Sequence, residues 1–180
     1  MDCSGFVLVG GRSSRMGRDK ALLPYRGSTL AEIVAREVAF AAGSALLVGN
    51  PVLGIPDLYP GEGPLGGILT ALDGSHTDWN LIVACDMPFA DAKLFHRLLD
   101  AARESDADAV LPRGPSGWPE PLCAVYHRRT RAAIQARFDA GTRKITDALE
   151  GLRVVSPQVT EAGCFQNLNT PEEWATHGGE

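Results

Sequence analysis

Cysteine is scarce in this sequence, and the cysteines that occur are far apart. The chain has 180 residues and four cysteines, with no C-x-x-C pair among them. Cys85 and Cys123 lie in apolar runs, which is typical of buried free thiols. Because free thiols persist in a reducing compartment, the pattern favours a cytoplasmic protein over a disulfide-bonded secreted one, and it argues against a zinc site.

Long apolar stretches and an excess of basic residues are missing as well. No apolar run reaches the length of a transmembrane helix, and the N-terminal MDCSG lacks the features of a signal peptide. The formal net charge of −5 argues against a general nucleic-acid or membrane-surface binder, because either needs a basic face. We therefore expect no nucleic-acid partner and no membrane, whereas a small anionic ligand needs only a local cationic patch.

Alternating apolar runs and helical patterns predict an α/β fold. Hydrophobic residues make up 44% and charged residues 22% of a length that suits one domain, residues 1–180. The predicted strands are apolar on both faces, which is typical of a mostly parallel central sheet with helices on both faces, in three layers. Predicted strands cover residues 6–9, 45–48, 81–85, 109–111, 121–127 and 154–155. Predicted helices cover residues 29–42, 64–72, 92–102, 128–140 and 145–149, with a final turn at Thr170 and Pro171. Ser28 or Thr29 can cap the first of these helices and Gly43 can end it, and Asp91 can cap the helix at residues 92–102.

Residues 7–24, VLVGGRSSRMGRDKALLP, have the pattern of a buried strand that opens into a glycine-rich, cationic loop. Glycines let backbone N–H groups approach an anion, and cations neutralise its charge. The segment fits neither G-x-x-x-x-G-K-[ST] nor G-x-G-x-x-G, so we predict a third kind of phosphate loop. In it, Arg15 binds phosphate oxygens and Lys20 acts as a point charge. The loop's glycines and cations are Gly10, Gly11, Arg12, Arg15 and Lys20.

Polar residues also follow the second and third predicted strands. Gly49 and Asn50 come after the second strand, and Asp86 comes directly after the third. Because the carboxyl ends of parallel strands meet at one edge of a sheet, we expect these residues to lie beside the phosphate loop. An aspartate in this position could simply cap its loop, but opposite a cationic loop it is suited to hold Mg²⁺ together with substrate phosphates.

Two further motifs have weaker interpretations. GEGPLGG at residues 61–67 is either a plain turn or a segment whose glycines let the backbone approach a flat base, with its N–H groups at the start of a helix. His127 follows an apolar strand, and a hydrogen-bonded structural histidine is favoured over a catalytic base. The sequence has no convincing Ser/His/Asp or Cys/His arrangement, which nucleotidyl transfer does not require.

With these motifs taken together, the chain resembles the molybdenum cofactor guanylyltransferases, which share the Rossmann-like GT-A fold of the nucleotide-diphospho-sugar transferases. The resemblance rests on LVGGRSSRMGRDKALLP, GEGPLGGI, ACDMPF, PEPLCAVYH and FQNLNTPEE, which span nearly the whole chain in order. It implies that GTP and molybdenum-loaded molybdopterin react to give the guanine dinucleotide cofactor and pyrophosphate. It also implies partner proteins that deliver the pterin or accept the product.

The resemblance implies roles for particular residues. Arg15, Lys20 and Asp86 would be catalytic, with Mg²⁺ bound by Asp86, and Asn167 and Asn169 would approach the pterin phosphate or the metal. The residues implied to contact the nucleotide are Leu8, Val9, Gly10, Gly11, Lys20, Asn50, Asp57, Pro64, Leu65, Gly66 and Asp86.

The sequence leaves other activities open. Val9 is bulkier than the alanine that the family often has at this position. The family commonly has an asparagine at the end of the second strand, where this chain has Gly49, with Asn50 one position later. A cytidylyltransferase for the same pterin, or another nucleotidyltransferase, therefore stays an alternative for the substrate. A non-catalytic nucleotide-binding module is an alternative of a different class, against which the presence of Lys20 and Asp86 argues.

Overall fold

A computed structural model describes residues 2–9, 22, 24–50, 54–161, 163–168, 173 and 176. The strands are β1 (Cys3–Leu8), β2 (Pro24–Tyr25), β3 (Ser28–Thr29), β4 (Leu46–Val48), β5 (Gly54–Ile55), β6 (Trp79–Ala84), β7 (Ala109–Val110), β8 (Cys123–His127) and β9 (Val154–Val155). The helices are α1 (Leu30–Ala42), α2 (Pro64–Asp73), α3 (Ala92–Glu104), α4 (Arg131–Asp139) and α5 (Ile145–Ala148), with a 3₁₀ turn at Arg128–Thr130.

Seven strands form one mixed sheet in the order β5-β4-β1-β6-β8-β7-β9. The pairings β5-β4, β4-β1, β1-β6 and β7-β9 are parallel, whereas β8 runs antiparallel to both of its neighbours. The predicted mostly parallel sheet is thus confirmed. Strands β2 and β3 form a separate small hairpin.

Helices cover both faces of this sheet, which confirms the three predicted layers. Helices α1 and α3 pack with one face in a core that includes Val34, Val83 and Phe95. Helices α2, α4 and α5 pack with the other face, where Leu69 and Ile134 are fully buried. Strand β6 is buried along its whole length, as expected for a strand with helices on both sides.

The predicted helix caps are confirmed where the structure describes them. Thr29 and Glu32 form a reciprocal capping box at the start of α1, and Gly43 ends that helix with a φ of 81°. Asp91 caps α3 by accepting a hydrogen bond from Leu94 N at 2.8 Å. These capping residues determine where α1 and α3 begin.

Some boundaries and segments differ from the prediction or lie beyond it. Strands β1 and β6 begin earlier than predicted. Their pairing starts at Cys3 and Trp79 and includes the polar residues Ser4 and Asn80, which the apolar pattern alone had left out. The helix turn predicted at Thr170 and Pro171 lies outside the described residues, and the single domain stays a prediction. Within the described part of the chain, no helix is long and apolar enough to cross a membrane.

An ion network closes the far edge of the sheet around Asp108. Its Oδ1 accepts a hydrogen bond from Arg129 Nε at 2.6 Å, and its Oδ2 accepts one from the backbone N of Arg153 at 2.8 Å. Burial by itself would raise the pKa of Asp108, but these hydrogen bonds outweigh it and lower the pKa from 3.8 to about 2. The ionised carboxylate therefore stabilises the β7–β9 edge.

Replacing this carboxylate should change how stability depends on pH. Because the pKa of Asp108 is lowered on folding, its contribution is complete above the unfolded pKa of 3.8 and is lost as the pH falls towards about 2. We expect Asp108→Asn to lower the free energy of unfolding at pH 7 by about 1 kcal/mol, a value limited by solvent screening of the two arginines. As the pH falls from about 4 to about 2, the free energies of unfolding of the variant and the wild type should converge. Urea titrations across this range measure the effect.

Asp100→Asn is the matched control, since Asp100 pairs with Arg103 on the exposed surface of α3. It should leave the free energy of unfolding nearly unchanged. A constant difference between Asp108→Asn and the wild type from pH 7 to pH 2 would contradict the assignment.

Candidate active site

The carboxyl ends of three parallel strands meet at one edge of the sheet. The last residues of β1, β4 and β6 lie side by side in register, Leu8 opposite both Val48 and Ala84. The pairing continues past the strands, because Val9 N donates to Val48 O at 2.8 Å and Cys85 N donates to Leu8 O at 3.1 Å. The predicted convergence of the three strand ends is therefore confirmed.

This edge is also the point at which the order of the strands reverses. From β1 the chain passes through α1 to β4 on one side, and later reaches β6 on the other. Ligands bind at such switch points in open α/β sheets. The predicted phosphate loop starts here, after Val9, but its members Gly10, Gly11, Arg12, Arg15 and Lys20 lie outside the described residues.

Asp86 lies at this edge and is tied to a distant part of the chain. It is half-buried between Cys85 and Met87, both of which are buried. Its backbone O accepts a hydrogen bond from Leu168 N at 3.0 Å. The structure therefore brings Asp86 and the Asn167–Leu168 segment together, as their shared assignment to one site requires.

Asn167 carries a buried amide oxygen that lacks a partner. No described residue donates a hydrogen bond to its Oδ1. Leaving a buried polar atom unpaired costs free energy, so such an atom is a place where a ligand can supply the missing interaction. Asn169, the second predicted asparagine, lies outside the described residues.

A small apolar cluster holds the tail segment, which contains Asn167 and Leu168, against this edge. Tyr25 of the hairpin, Leu30 of α1 and Leu168 are buried together, with Phe89 packed beside them. Phe89 belongs to the loop that begins at Asp86, so the cluster joins that loop to the tail. Tyr25 has its hydroxyl buried as well, and no described residue pairs with it.

Residues 61–67 form the entry to α2, as predicted, but the glycines have another use there. Leu65 is fully buried, so its side chain does not line an open pocket. A Cβ on Gly66 would lie 2.8 Å from Tyr59 Cβ, and one on Gly67 would lie 3.3 Å from Leu8 Cδ1. At these two positions the absence of a side chain lets α2 pack closely against Tyr59 and Leu8. The sequence pattern did not predict this reason for the glycines.

Asp57 and Asn50 lie on the β4 side of the edge. Asp57 Oδ1 accepts hydrogen bonds from Tyr59 N at 2.9 Å and from Thr70 Oγ1 at 3.0 Å. These bonds place Asp57 beside the middle of α2. Asn50 follows Gly49, whose N donates to Ile55 O at 2.9 Å, and it is half-buried just beyond the end of β4.

His127 lies at the opposite end of the sheet. It pairs with Trp79, the first residue of β6, and its ring packs edge-on against that indole. Its Nδ1 accepts a hydrogen bond from Arg129 N at 3.1 Å, and burial together with Arg129 lowers the pKa of the imidazole. The structural interpretation of His127 is confirmed by these contacts. Cys85 and Cys123 are buried free thiols, also as predicted.

The sequence did not single out an open cavity of about 580 Å³ on the β8 side of the same edge. Its walls include Pro64, Trp118 and Arg143. The indole of Trp118 is 75% exposed, which is unusual for so large an apolar group. An aromatic residue between Gly117 and Pro119 in a polar loop was the only signal, and it is a weak one.

Two proteins with similar sequences are named as molybdenum cofactor guanylyltransferases. A probable molybdenum cofactor guanylyltransferase of Bacillus cereus is 31% identical over 188 residues, covering 95% of this chain and 93% of the relative. The molybdenum cofactor guanylyltransferase of Cupriavidus metallidurans is 31% identical over 194 residues, covering 99% and 96%.

Solved structures agree on the fold. Molybdopterin-guanine dinucleotide biosynthesis protein A from Archaeoglobus fulgidus matches with a TM-score of 0.81 at 28% identity, over 97% of this chain and 96% of the other. A 2-C-methyl-D-erythritol 4-phosphate cytidylyltransferase from Thermus thermophilus shares the fold at a TM-score of 0.72 and 17% identity, over 98% and 97%. The sequence model of the MobA-like NTP transferase domain matches residues 5–154, and the chain therefore belongs to the MobA-like NTP transferase family.

Proposed function

We propose that this nucleotidyltransferase moves GMP from GTP to the terminal phosphate of molybdenum-loaded molybdopterin. An oxygen of the pterin phosphate attacks the α-phosphorus of GTP, the bond from that phosphorus to the bridging oxygen breaks, and pyrophosphate leaves. One observation supports the proposal most: β1, β4 and β6 end side by side, Asp86 follows the end of β6, and the bond from Leu168 N to Asp86 O holds the segment with Asn167 beside it. Family membership and the names of the relatives support it.

The phosphate loop is assigned to the triphosphate. The backbone of Leu8 and Val9 leads into Gly10 and Gly11, whose N–H groups can approach phosphate oxygens or the base. Arg15 and Lys20 neutralise charge that develops on the departing pyrophosphate, the main demand of this reaction on a protein. The roles of Gly10, Gly11, Arg15 and Lys20 rest on the sequence alone.

The residues at the edge fit a magnesium ion. A carboxylate from Asp86 and the unpaired amide oxygen of Asn167 are hard oxygen donors. Mg²⁺ usually takes its remaining ligands from water and substrate phosphates, so one carboxylate and one amide oxygen can suffice on the protein side. Bound there, Mg²⁺ would supply Lewis-acid stabilisation of phosphate charge.

The nucleoside is assigned to the edge between β4 and the start of α2. Asn50 and Pro64 are assigned to flank it. Leu65 and Gly66 contribute through their backbone, because the first has a buried side chain and the second faces Tyr59. Asp57 acts by fixing the approach to α2 through Tyr59 and Thr70, and so shapes this side of the site.

The same fold serves a cytidylyltransferase, so the fold does not select guanine. The cytoplasmic location, and partner proteins that deliver the pterin or accept the product, also stay predictions.

A nucleotide panel should show dependence on GTP. We expect pyrophosphate release from GTP only when molybdopterin is present, with kcat/KM at least tenfold higher than for CTP, ATP or UTP, since one base-specific hydrogen-bond set is worth about 1.4 kcal/mol or more. A coupled pyrophosphate assay measures this. Turnover with CTP alone would replace guanylyl by cytidylyl transfer, and binding without turnover for any nucleotide would favour the non-catalytic module.

Asp86→Asn should abolish most of the turnover without unfolding the protein. The change keeps the side-chain size and the backbone bond to Leu168 but removes the charge that holds the metal, so we expect kcat to fall at least about 100-fold. Thermal melting and Mg²⁺ titration accompany the assay. Asp100→Asn, on the exposed face of α3, is the control. Wild-type turnover of Asp86→Asn at saturating Mg²⁺ would remove Asp86 from the metal site.

Asn167→Ala should separate function from stability. The truncation removes a buried oxygen that no described residue satisfies, so Tm should stay unchanged or rise, while kcat/KM falls at least about tenfold. Asn80→Ala is a matched control, because Asn80 Oδ1 is also buried without a described partner but lies near the start of β6. Because Asn80 is fully buried and its Nδ2 donates to Tyr126 O at 3.2 Å, that control should lower Tm and keep kcat/KM per folded molecule. Parallel losses of Tm and activity in Asn167→Ala would make its role structural.

A further inference from the structure

The cavity beside Trp118 is continuous with the elements of the active site. Pro64, the first residue of α2, lines it on one side, and Pro121 lines it on another. Leu122, which follows, accepts a hydrogen bond from Ala84 N at 2.8 Å. Since Asp86 comes two residues after Ala84, the cavity lies on the β8 side of Asp86, whereas the phosphate loop leaves β1 on the other side.

Backbone and side-chain bonds hold the wall that carries Trp118 in place. The hydroxyl of the buried Tyr126 donates to Pro121 O at 2.7 Å, and Glu120 N donates to Pro112 O at 2.9 Å. Arg113 Nη1 donates to the O of Gly117, the residue before Trp118, at 2.8 Å. The exposed ring is therefore presented on a braced loop, which lowers the entropy cost of binding against it.

Arg143 is fixed on the opposite wall. Its Nε donates to Glu62 at 2.7 Å, its Nη1 donates to Phe138 O at 2.8 Å, and its guanidinium stacks over the Phe138 ring at 4.0 Å. Through Glu62 this arginine is joined to the segment that leads into α2. None of the described residues accepts a hydrogen bond from its remaining Nη, so that nitrogen can donate to a ligand.

The charges of the cavity distinguish between ligand classes. Arg113, Arg143 and Lys144 line it, but Glu62 pairs with Arg143 and Asp147 pairs with Lys144 at 2.9 Å. A polyphosphate would meet a largely compensated set of cations. A flat heterocycle with acceptor atoms would gain more, because the indole offers a stacking face and the guanidinium offers planar donors.

We propose that this cavity binds the pterin ring of the acceptor, with Trp118 stacking on the ring and Arg143 donating to its edge. The proposal rests on the guanylyl transfer proposed above and deepens it. Pro64 then stands between donor and acceptor, because it is assigned to flank the nucleoside and also lines this cavity. The nucleotide lies towards β1 and β4, and the pterin lies towards β8. A volume of about 580 Å³ accommodates a two- or three-ring heterocycle.

Trp118→Ala tests the stacking. We expect KM for molybdopterin to rise about tenfold, with kcat and KM for GTP unchanged, as for loss of one base–aromatic stack. Trp118→Phe should recover most of the affinity. Phe40→Ala is the matched control, since Phe40 is an equally exposed aromatic residue on α1, 78% accessible. Wild-type KM for molybdopterin in Trp118→Ala would overturn the proposal while leaving guanylyl transfer intact.

A binding measurement keeps the two proposals separable. An oxidised pterin with a phosphorylated side chain serves as an air-stable probe, and its quenching of tryptophan fluorescence is titrated in the wild type and in Trp118→Phe. We expect strong quenching that depends on Trp118. Trp118-dependent binding in an enzyme that forms no product from GTP and molybdopterin would support the pterin cavity and overturn the proposed reaction. Quenching of equal size in both proteins would overturn the cavity.

Discussion

The parallel pairing of β1 with β4 and β6 is the constraint on which the rest of the site depends. It sets Leu8, Val48 and Ala84 side by side, so that three loops leave the sheet at one edge. A register shift of one residue in either pairing would turn the side chains of that strand to the other face and disrupt the packing of both cores. The same hydrogen bonds that stabilise the sheet therefore determine where Asp86 stands relative to the end of β1.

Around this edge, the site is assembled from segments that are far apart in sequence. The tail meets Asp86 through Leu168, the 119–122 segment meets Ala84 through Leu122, and Glu62 joins the start of α2 to Arg143. Each of these links uses backbone atoms or a charged pair rather than the atoms proposed for chemistry. The framework can therefore hold its shape while the reacting side chains meet the substrates.

Local physics explains which features the sequence could predict. Caps such as Thr29 and Asp91, and the buried strand that precedes Asp86, are set by residues within a few positions of each other, and the structure confirms them. The packing of Gly66 on Tyr59, the unpaired oxygen of Asn167 and the cavity at Trp118 arise from distant contacts. Sequence pattern alone carries little information about such contacts, and so none of these features was predicted.

The bond from Leu168 N to Asp86 O has a consequence for biosynthesis. It closes a very long loop of chain, and contacts of this kind form late because the entropy of loop closure must be met first. A nascent chain that has emerged only as far as β9 can build most of the sheet but leaves Asp86 without its neighbour. The metal site proposed at Asp86 is therefore complete only in molecules whose Leu168 segment has docked.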